Sequence, residues 1–192
     1  VERDLAVVVN LGCLLHCPIR NYHANFISHA SERLCYFDYS LATCIGMKAV
    51  RPVELIKAPW IRPEDLARYE ATGIRHFKIA GREQETPWIL RAVAAYSARS
   101  YPGDLNDLVT GLGSVDPFGQ LPLRIHSALL EGFIEFFDKK DCRLGCGECA
   151  YCDEWAGRAI SEEGDRRRFA TGIERVLRRF TSGTFRAPLT RP

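Results

Sequence analysis

Eight cysteines give this chain its clearest capacity for chemistry, and they fall into two sets of four: Cys13, Cys17, Cys35 and Cys44, then Cys142, Cys146, Cys149 and Cys152. Residues 45–141 between the sets contain none. A disulfide-stapled secreted domain is usually shorter and disperses its cysteines through loops, so two separate fours read as two metal sites in a reducing, cytoplasmic compartment. The first set has the spacing C-x3-C-x17-C-x8-C, with Pro18 directly after Cys17. Four such thiolates can converge on a tetrahedral zinc or on an iron–sulfur cluster, because both take soft ligands and neither requires them to be adjacent in sequence. The long middle interval departs from the two close pairs of a zinc ribbon. It favours an iron–sulfur cluster over zinc, with buried or redox-active thiols as the remaining alternative.

The second set is denser, C-x3-C-x2-C-x2-C, and contains the C-x2-C-x2-C spacing of ferredoxin-type ligation. Gly145 and Gly147 flank Cys146 and let the backbone turn so that the sulfurs point inward. Its first three members also match the cluster loop of radical S-adenosylmethionine enzymes, but that loop stands near the start of a barrel. The set therefore reads as a second cluster or as a structural zinc holding the C-terminal helices together. His16, His23 and His29 flank the first set and are either ligands or proton carriers, or surface and capping histidines, which is the commoner fate. No Gly-x-Ser-x-Gly elbow, His-Glu-x-x-His pair, P-loop or Gly-x-Gly-x-x-Gly fingerprint is present.

The elements that must position these cysteines belong to a chain of 192 residues, 46% hydrophobic and 26% charged, enough for a buried core and not the composition of a disordered chain. The formal charge is +2, so no global field points to nucleic acid or an anionic membrane. No apolar run approaches the roughly 20 residues of a spanning helix. The only methionine is Met47, so the chain is expected to be a processed or partial product. Residues 5–10 form a β-branched apolar run suited to a strand buried on both faces, which puts Cys13 just past a strand end. Residues 18–29 predict a short helix, 57–61 an extended segment, and Arg62-Pro63-Glu64-Asp65 the first turn of a helix ended by Gly73. An alternating strand over 75–80 stops at Gly81, and Thr86-Pro87 opens a helix whose Ile89, Ala92, Val93 and Tyr96 share one stripe. After a Gly/Pro-rich stretch, residues 123–137 read as helical, and a last amphipathic helix aligns Phe169, Ile173, Leu177 and Phe180.

Alternating strands and helices define an α/β protein. A complete (β/α)8 barrel takes about 250 residues, so the expectation is a partial, TIM-like barrel carrying C-terminal strands, with a helical cysteine-rich module appended. Residues 1–110 would form the barrel portion with the first cysteine set, and 111–192 the helical module with the second. The missing strands would come from residues absent here or from a partner chain.

Phe77-Lys78-Ile79-Ala80-Gly81-Arg82, followed by the helix from Thr86 to Ala95-Tyr96, resembles the "KI-x-GR … helix ending in AY" segment of the U32 peptidase-like family. The segment Ile61-Arg62-Pro63-Glu64-Asp65-Leu66 and the Gly12-Cys13 strand end are similar to the C-terminal barrel half of that family, and the likeness covers roughly residues 5–105. It implies a barrel in which four cysteines hold a [4Fe-4S] cluster, here Cys13, Cys17, Cys35 and Cys44. For several members it implies oxygen-independent hydroxylation of RNA bases or a quinone precursor, with prephenate as oxygen donor for some. The interval between Cys13 and Cys17 is tighter than the first pair of the family, Cys44 arrives early, and the second set is not a feature of its typical hydroxylases.

Strand ends carry the chemistry of barrels, and Lys78, Arg82 and Arg62 lie at or near them. Lys78 alternates with Phe77 and Ile79 and points to the opposite face, where an ammonium facing the barrel interior would bind an anionic substrate or pair with a structural carboxylate. Arg62 and Arg82 would clamp a dicarboxylate or form inter-element salt bridges. Residues 158–192 hold nine arginines, no lysine and four acids, a charge that would meet RNA phosphates or remain a solvated helix face. Two other classes stay open, a peptidase of the U32 type and a non-catalytic subunit stapled by metal.

Overall fold

The computed structural model describes residues 4–30, 39–82, 84–111, 119–139, 142, 146 and 149–183, with the backbone alone for 27–30. Cys35, the glycine stretch 112–118, the glycines beside Cys146 and the arginines beyond 183 lie outside the described residues.

The apolar run at the start forms β1 (Ala6–Val8), which pairs in parallel with β2 (His76–Lys78), Ala6 opposite His76 and Val8 opposite Lys78. Between them run α1 (Arg20–Ala30), α2 (Tyr39–Val50), α3 (Val53–Ile56) and α4 (Leu66–Ala71). Pro63 lies in the first turn of the short 3-10 segment that precedes α4 and holds Arg62 extended, and Gly73 at φ +92° lets the chain leave the helix. After β2 comes α5 (Thr86–Ala98), closed by Arg99 in the left-handed region. A second pair, β3 (Leu123–Ile125) and β4 (Ile160–Glu162), is antiparallel, with α6 (Tyr151–Ala159) leading into β4 and α7 (Arg166–Thr181) last.

A single core runs from Val9 through Ile45, Leu55, Leu105 and Ile125 to Ile173, so the expected barrel portion and C-terminal module share it. The helices α2 and α7 meet at Gly46, where an added Cβ would stand 3.0 Å from Ile173 Cγ2, a contact that would require the isoleucine to shift by a few tenths of an ångström. No helix among the described residues is long and apolar enough to cross a membrane.

Three elements differ from the sequence expectation. β1, expected to be buried on both faces, has Ala6 exposed and Val7 and Val8 only half-buried, because among the described residues its one strand partner is β2. In α5 the buried residues are Ala92, Ala95 and Tyr96, while Val93 is 44% exposed. The stripe is rotated because the Tyr96 hydroxyl donates to the carbonyls of Val9 and Ile61, both at 3.0 Å, which fixes the face of the helix. Residues 123–137 are not one helix: β3 is followed by 3-10 turns at Ser127–Leu130 and Phe133–Asp138. Pairing with β4 draws the first residues into a strand, and Gly132 at φ +82° separates the two turns.

Candidate metal centres and the strand ends beside them

Parallel pairing brings the C-terminal ends of β1 and β2 to one edge, and Asn10 fastens them there. Fully buried, it donates through Nδ2 to the carbonyls of Ala80 (2.9 Å) and Leu108 (3.0 Å), and its Oδ1 accepts from Ala80 N–H (2.8 Å). Its backbone carbonyl accepts from Thr110 N–H at 2.9 Å, and Gly12 N–H donates to Thr110 at 3.1 Å. The segment that leads into Cys13 is thus held between residues 78–80 and 108–110. Gly81, the glycine of the resemblance motif, sits at φ +111°, and a Cβ there would stand 2.6 Å from the Trp88 ring. No other residue combines that backbone angle with the close indole.

Cys13 leaves this edge, Cys17 lies in the turn before α1, and Cys44 projects from α2; all three are half-buried. Burial pushes the Cys13 thiol above its ordinary range, the Arg20 guanidinium draws it down, Cys44 raises it, Lys48 lowers it and Cys17 raises it. Two further thiols and two cations therefore stand within electrostatic reach of Cys13. The Lys48 side chain is fully buried, and its ammonium donates to the carbonyl of Gly12. Arg20 donates through Nη2 to Leu14 (3.2 Å), and its buried Nε has no partner among the described residues. An open cleft of about 470 Å³, lined by His16, Cys17, Arg20, Asn21 and Pro59 among others, lies beside Cys17. His16 holds φ +58°, in the left-handed region that non-glycine residues seldom adopt. His23 lies half-buried on α1, and the side chain of His29 is outside the described residues.

In the second set Cys142, Cys146 and Cys149 are exposed and Cys152 is half-buried on α6. Burial pushes the Cys152 thiol up to about 11; Lys57 opposes this, and Cys142, Cys146 and Cys149 each add to it. Beside these thiols stands an aromatic wall: Tyr151 stacks on Phe136 at 4.0 Å and on Phe133 at 5.7 Å, and Trp155 meets Phe133 edge-on. Among the described residues no three His, Cys, Asp or Glu side chains are spaced to hold a metal ion by themselves. The donors nonetheless suit soft metals in kind. Neighbouring thiols resist ionising together, and a bound cation reverses that resistance. Cys13, Cys17 and Cys44, with Cys35, would hold one metal group, and Cys142, Cys146, Cys149 and Cys152 the other.

The three proposed substrate residues differ in surroundings. Arg62 is 6% exposed and engaged in a network: its fork meets Asp65 at 2.9 and 3.1 Å, Nη1 donates to the Ser127 carbonyl at 2.8 Å, and Glu64 lies 3.6 Å away. Its ion pairs are local, within residues 62–65, and the bond that reaches another element is the one to the Ser127 carbonyl. Lys78 and Arg82 are exposed at the strand-end edge, with Ala80 between them tied to Asn10. Sequence reasoning missed Lys48, although a signal existed: it is the only charged residue of α2 and follows Cys44 by one turn.

The chain has a relative among proteins named as proteases. It is 35% identical over 162 residues to a protein of Methanocaldococcus jannaschii called "Uncharacterized protease MJ1657", an alignment that covers 83% of this chain and 47% of that relative. The chain thus spans about half the length of the curated relative it matches. No family model matches it, and no solved structure does.

Proposed function

We propose that the chain is the iron–sulfur portion of a U32-type enzyme acting on an anionic substrate, of nucleic-acid or quinone-precursor type, by oxygen-independent hydroxylation. The observation that supports this reading is that Cys13 follows directly on the fastened C-terminal edge of a parallel strand pair, with the buried Lys48 ammonium bonded to the carbonyl of Gly12 beside it. Cys17, Cys35 and Cys44 complete the four thiolates of a [4Fe-4S] cluster, which when bound supplies electron-transfer chemistry at that edge. Lys78 and Arg82 bind the anion, and Arg62, through Ser127 and Asp65, fixes the wall from which they act. The parallel pair belongs to a β/α barrel completed by strands outside this chain. The second set holds another cluster or a zinc. RNA is a candidate partner through the arginines of α7, and the compartment is cytoplasmic.

A second reading, a peptidase, is favoured by the name of the relative. Anaerobic calorimetry with prephenate as a dicarboxylate probe separates the two. Lys78→Ala and Arg82→Ala should each weaken binding about ten-fold, or about 1.4 kcal/mol, and unchanged affinity would count against the anion site. Peptide hydrolysis that persists in Cys17→Ala would decide for the peptidase.

A further inference from the structure

Lys48 combines three features that no structural account of the core requires. It is 0% exposed, its ammonium is hydrogen-bonded to the carbonyl of Gly12, and no carboxylate among the described residues lies within ion-pairing distance of it. Taking an ammonium out of water carries a penalty of several kcal/mol unless an anion stands beside it. Lys57, the lysine near the second cysteine set, has such a partner in Glu54 at 3.9 Å. Among the described residues the group within electrostatic reach of Lys48 that can become an anion is the Cys13 thiol. Lys48 follows Cys44 by one helical turn, so both side chains emerge on the same face of α2, and it grips the residue immediately before Cys13. The one side chain joins the strand end that carries the first cysteine to the helix that carries the last.

We propose that Lys48 is the positioning and charge-compensating residue of the thiolate centre formed by Cys13, Cys17 and Cys44, and that it holds the reduction potential of that centre up. The proposal rests on the iron–sulfur reading above. Four thiolates make the centre anionic, and reduction adds one further negative charge. A fixed cation in a low-dielectric surrounding stabilises the reduced form more than the oxidised one. Arg20 contributes from the solvent side, but it is half-buried and its Nη2 is shared with Leu14.

The test is a dye-mediated redox titration followed by electron paramagnetic resonance on the anaerobically purified chain. Wild type is compared with Lys48→Met, which keeps an apolar stem of similar length, and Lys48→Gln, which keeps a donor for Gly12 without the charge. In both variants the ratio of reduced to oxidised centre at a fixed potential should fall at least ten-fold, a downward shift of about 59 mV for a one-electron couple. Intact iron and sulfide content with an unchanged potential would overturn the role of Lys48 and leave the cluster reading standing. Absence of iron and sulfide from wild type would overturn both. Where a variant fails to retain the cluster, Lys48→Arg should restore it and Lys48→Gln should not; restoration by Gln would overturn the charge argument.

Discussion

Asn10→Leu should destabilise the chain by about 3–5 kcal/mol, since the substitution nearly conserves volume while leaving the buried Leu108 carbonyl and the half-buried N–H and carbonyl of Ala80 without their partner. A buried polar group left unpaired costs about 1–3 kcal/mol, and the full sum is not reached because carbonyls tolerate a missing donor better than an amide tolerates a missing acceptor. For a chain of this size the midpoint of thermal unfolding should fall by roughly 6–20 °C. Circular dichroism during heating measures it directly, and a fall of less than 2 °C would show that the strand ends are held by something else. The functional consequence follows from position: the same side chain fixes the approach to Cys13, so the variant should also lose metal from the first set.

The second large effect is expected at Arg62. Its side chain is 7% exposed and Asp65 is 13% exposed, so Arg62→Met removes one partner of a mostly buried pair, a change that typically costs 3–5 kcal/mol. Part of that loss is spread further. Glu64, which lies 3.6 Å from Arg62, also accepts from the Ser127 hydroxyl at 3.1 Å and from Tyr101 N–H at 2.6 Å, so the network ties residues 62–65 to both α5's exit and the turn after β3. Lysine should be a poor substitute, because it lacks the fork that meets both oxygens of Asp65. Urea unfolding of Arg62→Met and Arg62→Lys checks this. A variant of undiminished stability that no longer binds the dicarboxylate probe would instead make Arg62 a direct substrate ligand.

Much of the scaffold was legible because local pattern and tertiary context agree. The apolar run before Asn10 became β1, Pro63 and Gly73 bracket the turn and helix between them, and Phe169 and Ile173 face the core from α7. The misreadings have long-range causes. Leu123, Arg124 and Ile125 are compatible with helix or strand, and only pairing with β4, 35 residues on, decides between them. The α5 stripe turned because Tyr96 finds its hydrogen-bond partners at Val9 and Ile61, which no periodicity within the helix could indicate. At the candidate site the cysteine spacing was readable from sequence, and so was the placement of Cys13 past a strand end. The burial of Lys48 was not, because a lysine four residues after a cysteine is ordinarily a solvated side chain, and its ammonium finds its partner at Gly12, 36 residues earlier in the chain.

The central claim is that the first cysteine set holds an iron–sulfur cluster. Iron, acid-labile sulfide and zinc per chain, determined after anaerobic purification of wild type and Cys17→Ala, test it most directly. The account predicts that Cys17→Ala loses about four irons and a matching amount of sulfide relative to wild type, as four-thiolate ligation of a [4Fe-4S] cluster requires. Zinc without sulfide in wild type, or iron and sulfide unaffected by Cys17→Ala, would contradict it.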